Sequence, residues 1–311
     1  MRAARYHGPG DLRIEEVPDP QPGPGEVLVQ IELALTDGTD LKTFRRGHPL
    51  LLSELPSPFG HEFCGFDVAT GKRVVAANSA PCRACAQCAR GRESLCENLL
   101  PLLNGAYAEL LVVPERIARV NLHPVPRTLA SEVAALVEPL ACALHATAGI
   151  EPGQTVAVLG PGPMGMLLCA CLKDAGASVV VAGGSLERRR LAEEFGATAG
   201  DAREADVVVE ATGKPKGWRD AVATVRRGGT VVLFSGVQGN VELDAQRLHY
   251  DELTVRGAFH HTPATVRAAL AFLASAAYPW EKLLTHELAL EQLPTFFAEP
   301  PDGYLKAVVR P

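Results

Sequence analysis

Four cysteines, Cys82, Cys85, Cys88 and Cys96, stand at the spacing C-x2-C-x2-C-x7-C. Thiolates this close in sequence can close a tetrahedral shell around one zinc ion, and a closed shell has no open position for a substrate. The spacing therefore predicts a structural zinc loop; a redox dithiol and an iron–sulfur centre are the alternatives these residue types allow. A second set of ligand-type side chains lies elsewhere. His61 and Glu62 are adjacent in FGHEFCG, and neutral imidazole is the commonest zinc ligand, with a neighbouring carboxylate able to orient it or join the metal. Asp37 falls in TDGTD, which by itself reads as a turn. Glu138 precedes Pro139 in an apolar run, where a carboxylate must find a partner or stay neutral; alone it reads as half of a salt bridge. Cys64, Cys142 and His145 read as core residues.

A third chemistry is written in Thr155–Gly165, TVAVLGPGPMG. A β-branched run leads into Gly160, Gly162 and Gly165, with Pro163 and Met164 between them and an apolar helical segment after. The first glycine permits a tight turn, the second lets backbone approach a pyrophosphate, and the third lets helix pack on strand. The helix N-terminus then offers free N–H groups to anionic oxygens, and Pro163 suits the first turn, where a missing N–H costs little.

The elements that must position these groups follow from periodicity. Glu26–Leu35 alternates and reads as a strand, LKTFRRG as a short helix, and Ala106–Val113 as a further strand. Ser131–Gly149 reads as a helix capped by Ser131, interrupted at Pro139 so that Glu138 sits at a break. Strands are expected at Ser178–Ala182, Asp206–Glu210, Thr230–Phe234 and Leu253–Phe259, with a helix at Leu290–Phe297. The link from Ala197 to Asp206 is too short for a full crossover helix.

Composition sets limits on partners. The chain has 311 residues and a formal net charge of -6, long enough for two domains and without the basic field that nucleic acid or an anionic membrane requires. The run Arg188-Arg189-Arg190 reads as a solvated helix face. MRAARYHGPG has no apolar signal core and no run reaches spanning length, so a cytoplasmic location with reduced thiols is expected.

The motifs GHE, the four-cysteine loop, VEPLACALHA and GPGPMG occur in this order. Together with RLHYDELTVRGAFHHTP and the closing KAVVRP, this chain resembles the zinc-dependent medium-chain dehydrogenases of the alcohol dehydrogenase superfamily, most closely the polyol and sorbitol-type branch. The resemblance implies an α/β fold: a GroES-like irregular β-barrel catalytic domain at 1–148, a doubly wound parallel-sheet Rossmann domain at 149–278, and a C-terminal return at 279–311. It implies a catalytic metal held by Asp37, His61 and Glu138, with Glu62 beside the metal or exchanging into its shell. Asp37 stands where the family usually has cysteine. Oxygen in place of thiolate hardens the site and weakens its preference for zinc over Mn, Co or Mg.

The implied reaction moves a hydride between a secondary alcohol or polyol and a nicotinamide cofactor, with the Thr39 hydroxyl relaying the proton. In NAD-preferring relatives an acid ends the second strand; here Gly183 holds that place, followed by Gly184 and Ser185. With Arg188 nearby, this favours NADP over NAD. Ser235 and Gly236 are expected to line the nicotinamide site, and His260 and His261 to line a pocket or serve an interface or cap. Phe44, His48, Leu51 and Phe59 are candidate substrate contacts. A homodimer or homotetramer is expected. The competing readings are a non-catalytic nucleotide-binding or sensory homologue, a zinc-independent quinone or enoyl reductase, and a zinc-ribbon nucleic-acid binder; the acidic balance opposes the last.

Overall fold

Residues 1–48, 51–52 and 54–311 are described by the structure, a computed structural model. The chain divides into two compact units. One comprises Met1–Ala141, His261–Ala276 and Trp280–Pro311; the other comprises Cys142–His260 and Ala277–Pro279. The helix Pro263–Ser275, expected with the nucleotide domain, therefore groups with the first unit. Its apolar face buries Val266, Ala269 and Leu273, and it packs against the helices Glu115–Asn121 and Ser131–Ala134.

In the first unit the strand Val27–Leu35 is central. It pairs antiparallel with Glu62–Asp67, Leu110–Val113 and Lys306–Arg310, within a seven-stranded sheet that also holds Leu284–Ala289, Arg73–Ala76 and Leu122–Pro124. A smaller three-stranded sheet contains Arg2–Gly8, Asp11–Glu16 and Ser57–Pro58. Behind these strands an aromatic cluster closes the core. Tyr6 stacks on Phe59 at 5.6 Å between ring centroids, and Phe44 stacks on Phe297 at 5.8 Å. Phe44 and Phe59 are thus core residues rather than substrate contacts.

The second unit is a six-stranded sheet in the order Thr198–Ala199, Ser178–Ala182, Thr155–Leu159, Ala205–Glu210, Val225–Leu233, Thr254–Gly257. All neighbours are parallel. Chain order reverses at Thr155–Leu159, the switch point where such sheets bind ligands. As the short link demanded, residues 200–204 join Thr198–Ala199 to Ala205–Glu210 without a helix.

Two local expectations give way to chain geometry. Ala106 and Tyr107 do not extend the strand Leu110–Val113, because their N–H groups turn to the carbonyls of Gly60 and Phe59. The helix break after Ser131 falls at Ala135 and Leu136, upstream of Pro139, which is the third residue of the helix Val137–Ala146. First-turn N–H groups have no intrahelical acceptor, so proline there removes nothing. Ser131 is the first residue of its helix, Ala130 being the cap, and its hydroxyl donates to Glu32 at 2.7 Å instead.

Candidate metal and cofactor sites

The register of three strands assembles the first site. Leu35 pairs with Glu62 on one side and Val308 on the other, so the ends of these strands bring Asp37, His61, Glu62 and Lys306 together although they are far apart in sequence. Asp37 caps the helix Gly38–Arg46. Its Oδ1 accepts the N–H of Asp40 at 2.6 Å, and the Asp40 carboxylate accepts the N–H of Asp37 at 3.2 Å, a reciprocal capping box. The other oxygen, Oδ2, lies 3.9 Å from His61 Nε2, and the Thr39 hydroxyl also reaches the Asp37 carboxylate.

His61 is 5% exposed and leaves a glycine turn that admits no side chain: a Cβ on Gly60 would stand 2.7 Å from the Tyr107 ring. Its Nδ1 faces Asp40 Oδ1 at 3.3 Å, which leaves Nε2 for a ligand. Tyr107 donates to the other side of Asp40. Burial opposes charge on this imidazole, but Asp40 and Asp37 overcome it and hold the His61 pKa well above its usual range. Asp37 feels the same burial, and the charges of His61 and Lys306 keep its carboxyl below the usual value.

Glu62 is fully buried and both its oxygens accept from Lys306 Nζ, at 2.7 and 2.6 Å. Burial pushes the Glu62 carboxyl up to about 8, against the pull of the ammonium. Lys306 is equally buried and its Nζ also donates to the Thr36 carbonyl at 3.2 Å. Asp37, His61 and Glu62 each place one ligand atom within 4.8 Å of the others. Glu138, 6% exposed, does not join that cluster. Its charge raises the pKa of His61, and its Oε1 lies 3.9 Å from His261 Nε2, which is 3.2 Å from Asn78 Oδ1. The donor set of imidazole and carboxylates fits a divalent cation.

Sequence reasoning passed over Asp40, Tyr107, Lys306 and Asn78. Asp40 carried a signal, an acid three residues beyond an Asp cap; Lys306 carried a weaker one, a charge opening an apolar strand. Tyr107 and Asn78 carried none.

The four loop cysteines place their sulfurs within 4.8 Å of one another, and all eight cysteines of the chain are free thiols. The sulfurs of Cys82, Cys85 and Cys96 accept N–H groups from Cys82, Ala84, Glu97 and Asn98 at 3.2–3.5 Å. The Asn98 side-chain amide and the Ala84 N–H lower the Cys82 thiol to about 6. These donors favour thiolate at Cys82 and Cys85, while burial pushes the Cys88 thiol up to about 12; four sulfurs this close fit the tetrahedral shell of zinc.

In the second unit, Gly162 caps the helix Pro163–Asp174. A Cβ on Gly165 would lie 2.0 Å from the Gly160 carbonyl, whereas one on Gly162 would meet open space. Tight packing at one glycine and room at the other are what a diphosphate on this helix end requires. A cavity of about 380 Å³ is lined by Gly160, Gly183, Gly184, Asp201, Arg203 and Thr212, among others. Gly183 has φ +83° and Gly184 has φ +64°, with Pro161 only 2.5 Å from any Cβ at 184, so this strand end disfavours the usual acid. Ser185 caps the next helix by accepting the Arg188 N–H at 3.3 Å. Ser235 donates its N–H to the Glu210 carbonyl and accepts the Trp218 indole; Gly236 borders open space.

The two units thus define a class: a barrel-like unit with ligand-type residues and a doubly wound nucleotide-type sheet. Family models agree, with residues 23–127 matching the alcohol dehydrogenase GroES-like domain and residues 163–275 matching zinc-binding dehydrogenase. The chain is 30% identical to an L-threonine 3-dehydrogenase of Xanthomonas oryzae, over 89% of each protein. It is 29% identical to the sorbitol dehydrogenase of Bacillus subtilis, over 94% of this chain and 91% of that one. A solved zinc-binding dehydrogenase of Sinorhizobium meliloti 1021, bound to NADP, superposes with a TM-score of 0.88 at 32% identity, covering 100% of this chain and 99% of the other. The chain belongs to the zinc-type medium-chain alcohol dehydrogenase superfamily.

Proposed function

We propose that this protein is a zinc-type, nicotinamide-dependent oxidoreductase that moves a hydride between a secondary alcohol or polyol and the cofactor. The observation that carries the reading is the buried cluster of Asp37, His61 and Glu62 in a chain that also retains the glycine turn. Relatives acting on threonine and sorbitol by name support the alcohol class, and they disfavour a non-catalytic homologue.

Asp37 and His61 would hold the catalytic ion, with Glu62 kept beside them by Lys306, and Glu138, which stands against His261, would complete the set. Such an ion supplies Lewis acidity that favours loss of the alcohol proton. Asp40, 3.3 Å from His61 Nδ1, would orient the ring so that Nε2 is left for the ion. Thr39, tied to Asp37, offers the hydroxyl through which the proton departs. Gly160, Gly162, Pro163, Met164 and Gly165 form the diphosphate turn, and Gly183 with Gly184 puts no acid at the end of the second strand, with Asp201 and Arg203 both lining the cavity beside it. With Ser185 and Arg188 beside that strand end, NADP is the preferred cofactor, supported by the NADP-bound relative. Cys82, Cys85, Cys88 and Cys96 hold a structural zinc.

A panel of secondary alcohols and sugar polyols, assayed with NADP and NAD on protein of measured metal content, tests the reading. Reduced cofactor formed with at least one polyol and lost in His61→Ala supports it; cofactor binding without turnover on any member contradicts it.

A further inference from the structure

Residues 200–204 stand where a crossover helix would otherwise run, and two backbone bonds fix their course. Gly200 donates its N–H to the Val181 carbonyl at 3.3 Å, and Glu204 donates its own to the Thr224 carbonyl at 3.1 Å. Between these anchors Asp201 and Arg203 line the cavity of about 380 Å³ that Gly183 and Gly184 also line. Arg188, in the helix Leu186–Glu194, is not among the lining residues. Asp220, the remaining charged residue of the lining, is held by Lys216 at 2.6 Å. Among the described lining residues Arg203 is therefore the one cation.

Asp201 holds Arg203 twice. Its Oδ1 accepts the Arg203 backbone N–H at 3.0 Å, and its Oδ2 accepts the guanidinium Nε–H at 2.7 Å. The two side chains are 57% and 79% exposed, so water screens the ion pair and its side-chain half is easily given up. A 2′-phosphate carries more charge than a carboxylate and offers three acceptor oxygens to the guanidinium fork. We propose that Arg203 reads the 2′-phosphate of the cofactor, leaving Asp201 to do so, and that Asp201 restrains it when that phosphate is missing. The inference rests on the reading that this cavity takes the adenosine end of a nicotinamide cofactor. It adds to the strand end a second reader, supplied by the shortened link, whose grip Asp201 sets.

The test titrates intact protein calorimetrically with adenosine 2′,5′-bisphosphate and with adenosine 5′-monophosphate, which differ only in the 2′-phosphate. Wild-type protein binds the bisphosphate about tenfold or more tightly, and Arg203→Ala loses about tenfold on the bisphosphate while binding the monophosphate as before. Arg203→Lys, with the charge but not the fork, recovers part of the loss. Asp201→Asn keeps an acceptor for the Arg203 backbone N–H, frees the guanidinium, and tightens the bisphosphate severalfold. Melting temperatures of all three variants stay with the wild type, because so exposed a pair contributes little to stability.

An Arg203→Ala variant that keeps the wild-type ratio of the two affinities overturns the proposal, and an Asp201→Asn variant that binds the bisphosphate no more tightly than the wild type overturns the restraint. Both results leave the dehydrogenase reading intact. Failure of either nucleotide to compete with the whole cofactor overturns the placement of adenosine on which the proposal rests.

Discussion

Asp37 does two jobs with one carboxylate, capping a helix through Oδ1 and facing His61 through Oδ2. Asp37→Ala should therefore lower stability by about 1 kcal/mol through the lost cap and also empty the seat of metal; thermal melts and metal counting read the two effects separately. Lys306→Met is expected to cost about 1–3 kcal/mol, because Glu62, its carboxyl already pushed up to about 8 by burial, loses the donor that both its oxygens contact. Urea unfolding measures that loss, and combining it with Glu62→Gln should restore part of it. His61 and Glu62 were nominated by their own adjacent imidazole and carboxylate, whereas Asp37 and Glu138, which alone read as a turn and as half of a salt bridge, were nominated only through the family resemblance. Lys306 was not nominated, since its partner Glu62 is 244 positions away and only the antiparallel register on Val27–Leu35 brings them together. For the same reason no local pattern could show that the near neighbour of Glu138 is His261.

At the scale of elements, the glycine turn makes the sharpest packing demand. A Cβ at Gly165 would lie 2.0 Å from a backbone oxygen that cannot move aside like a flexible side chain. Gly165→Ala should cost about 1–3 kcal/mol, as overpacking does, and weaken cofactor binding; Gly162→Ala, with open space at its Cβ, should fold normally and weaken cofactor binding alone. Calorimetric titration with the cofactor and a melt of each variant separate the two. The parallel sheet was readable because strands such as Thr155–Leu159 and Ser178–Ala182 are apolar runs that stop at a glycine, and the missing crossover helix followed from chain length alone. Ser131 misled because its hydroxyl is taken by Arg73 and Glu32, far away in sequence, and Pro139 because it falls in a first turn, where proline does not break a helix.

At the scale of the whole molecule, one polypeptide carries two compact units, one holding the match to the alcohol dehydrogenase GroES-like domain and the other a six-stranded parallel sheet. Among the described residues, no helix is long and apolar enough to cross a membrane. With no acid at Gly183, catalytic efficiency should favour NADP over NAD by about tenfold or more, the equivalent of roughly 1.4 kcal/mol from a charge-assisted contact, and Arg188→Ala should erode the preference. The central claim is that the Asp37 cluster drives hydride transfer from an alcohol. Its most direct test is a secondary alcohol or polyol carrying deuterium on the carbinol carbon, incubated with oxidised cofactor and metal-defined protein, the products read by mass spectrometry. The account predicts that deuterium appears in the reduced nicotinamide, and that Asp37→Ala slows the transfer on the order of 10³-fold, the loss of several kcal/mol of charge stabilisation. No deuterated cofactor from any member of the panel, or equal rates in wild type and variant, would contradict it.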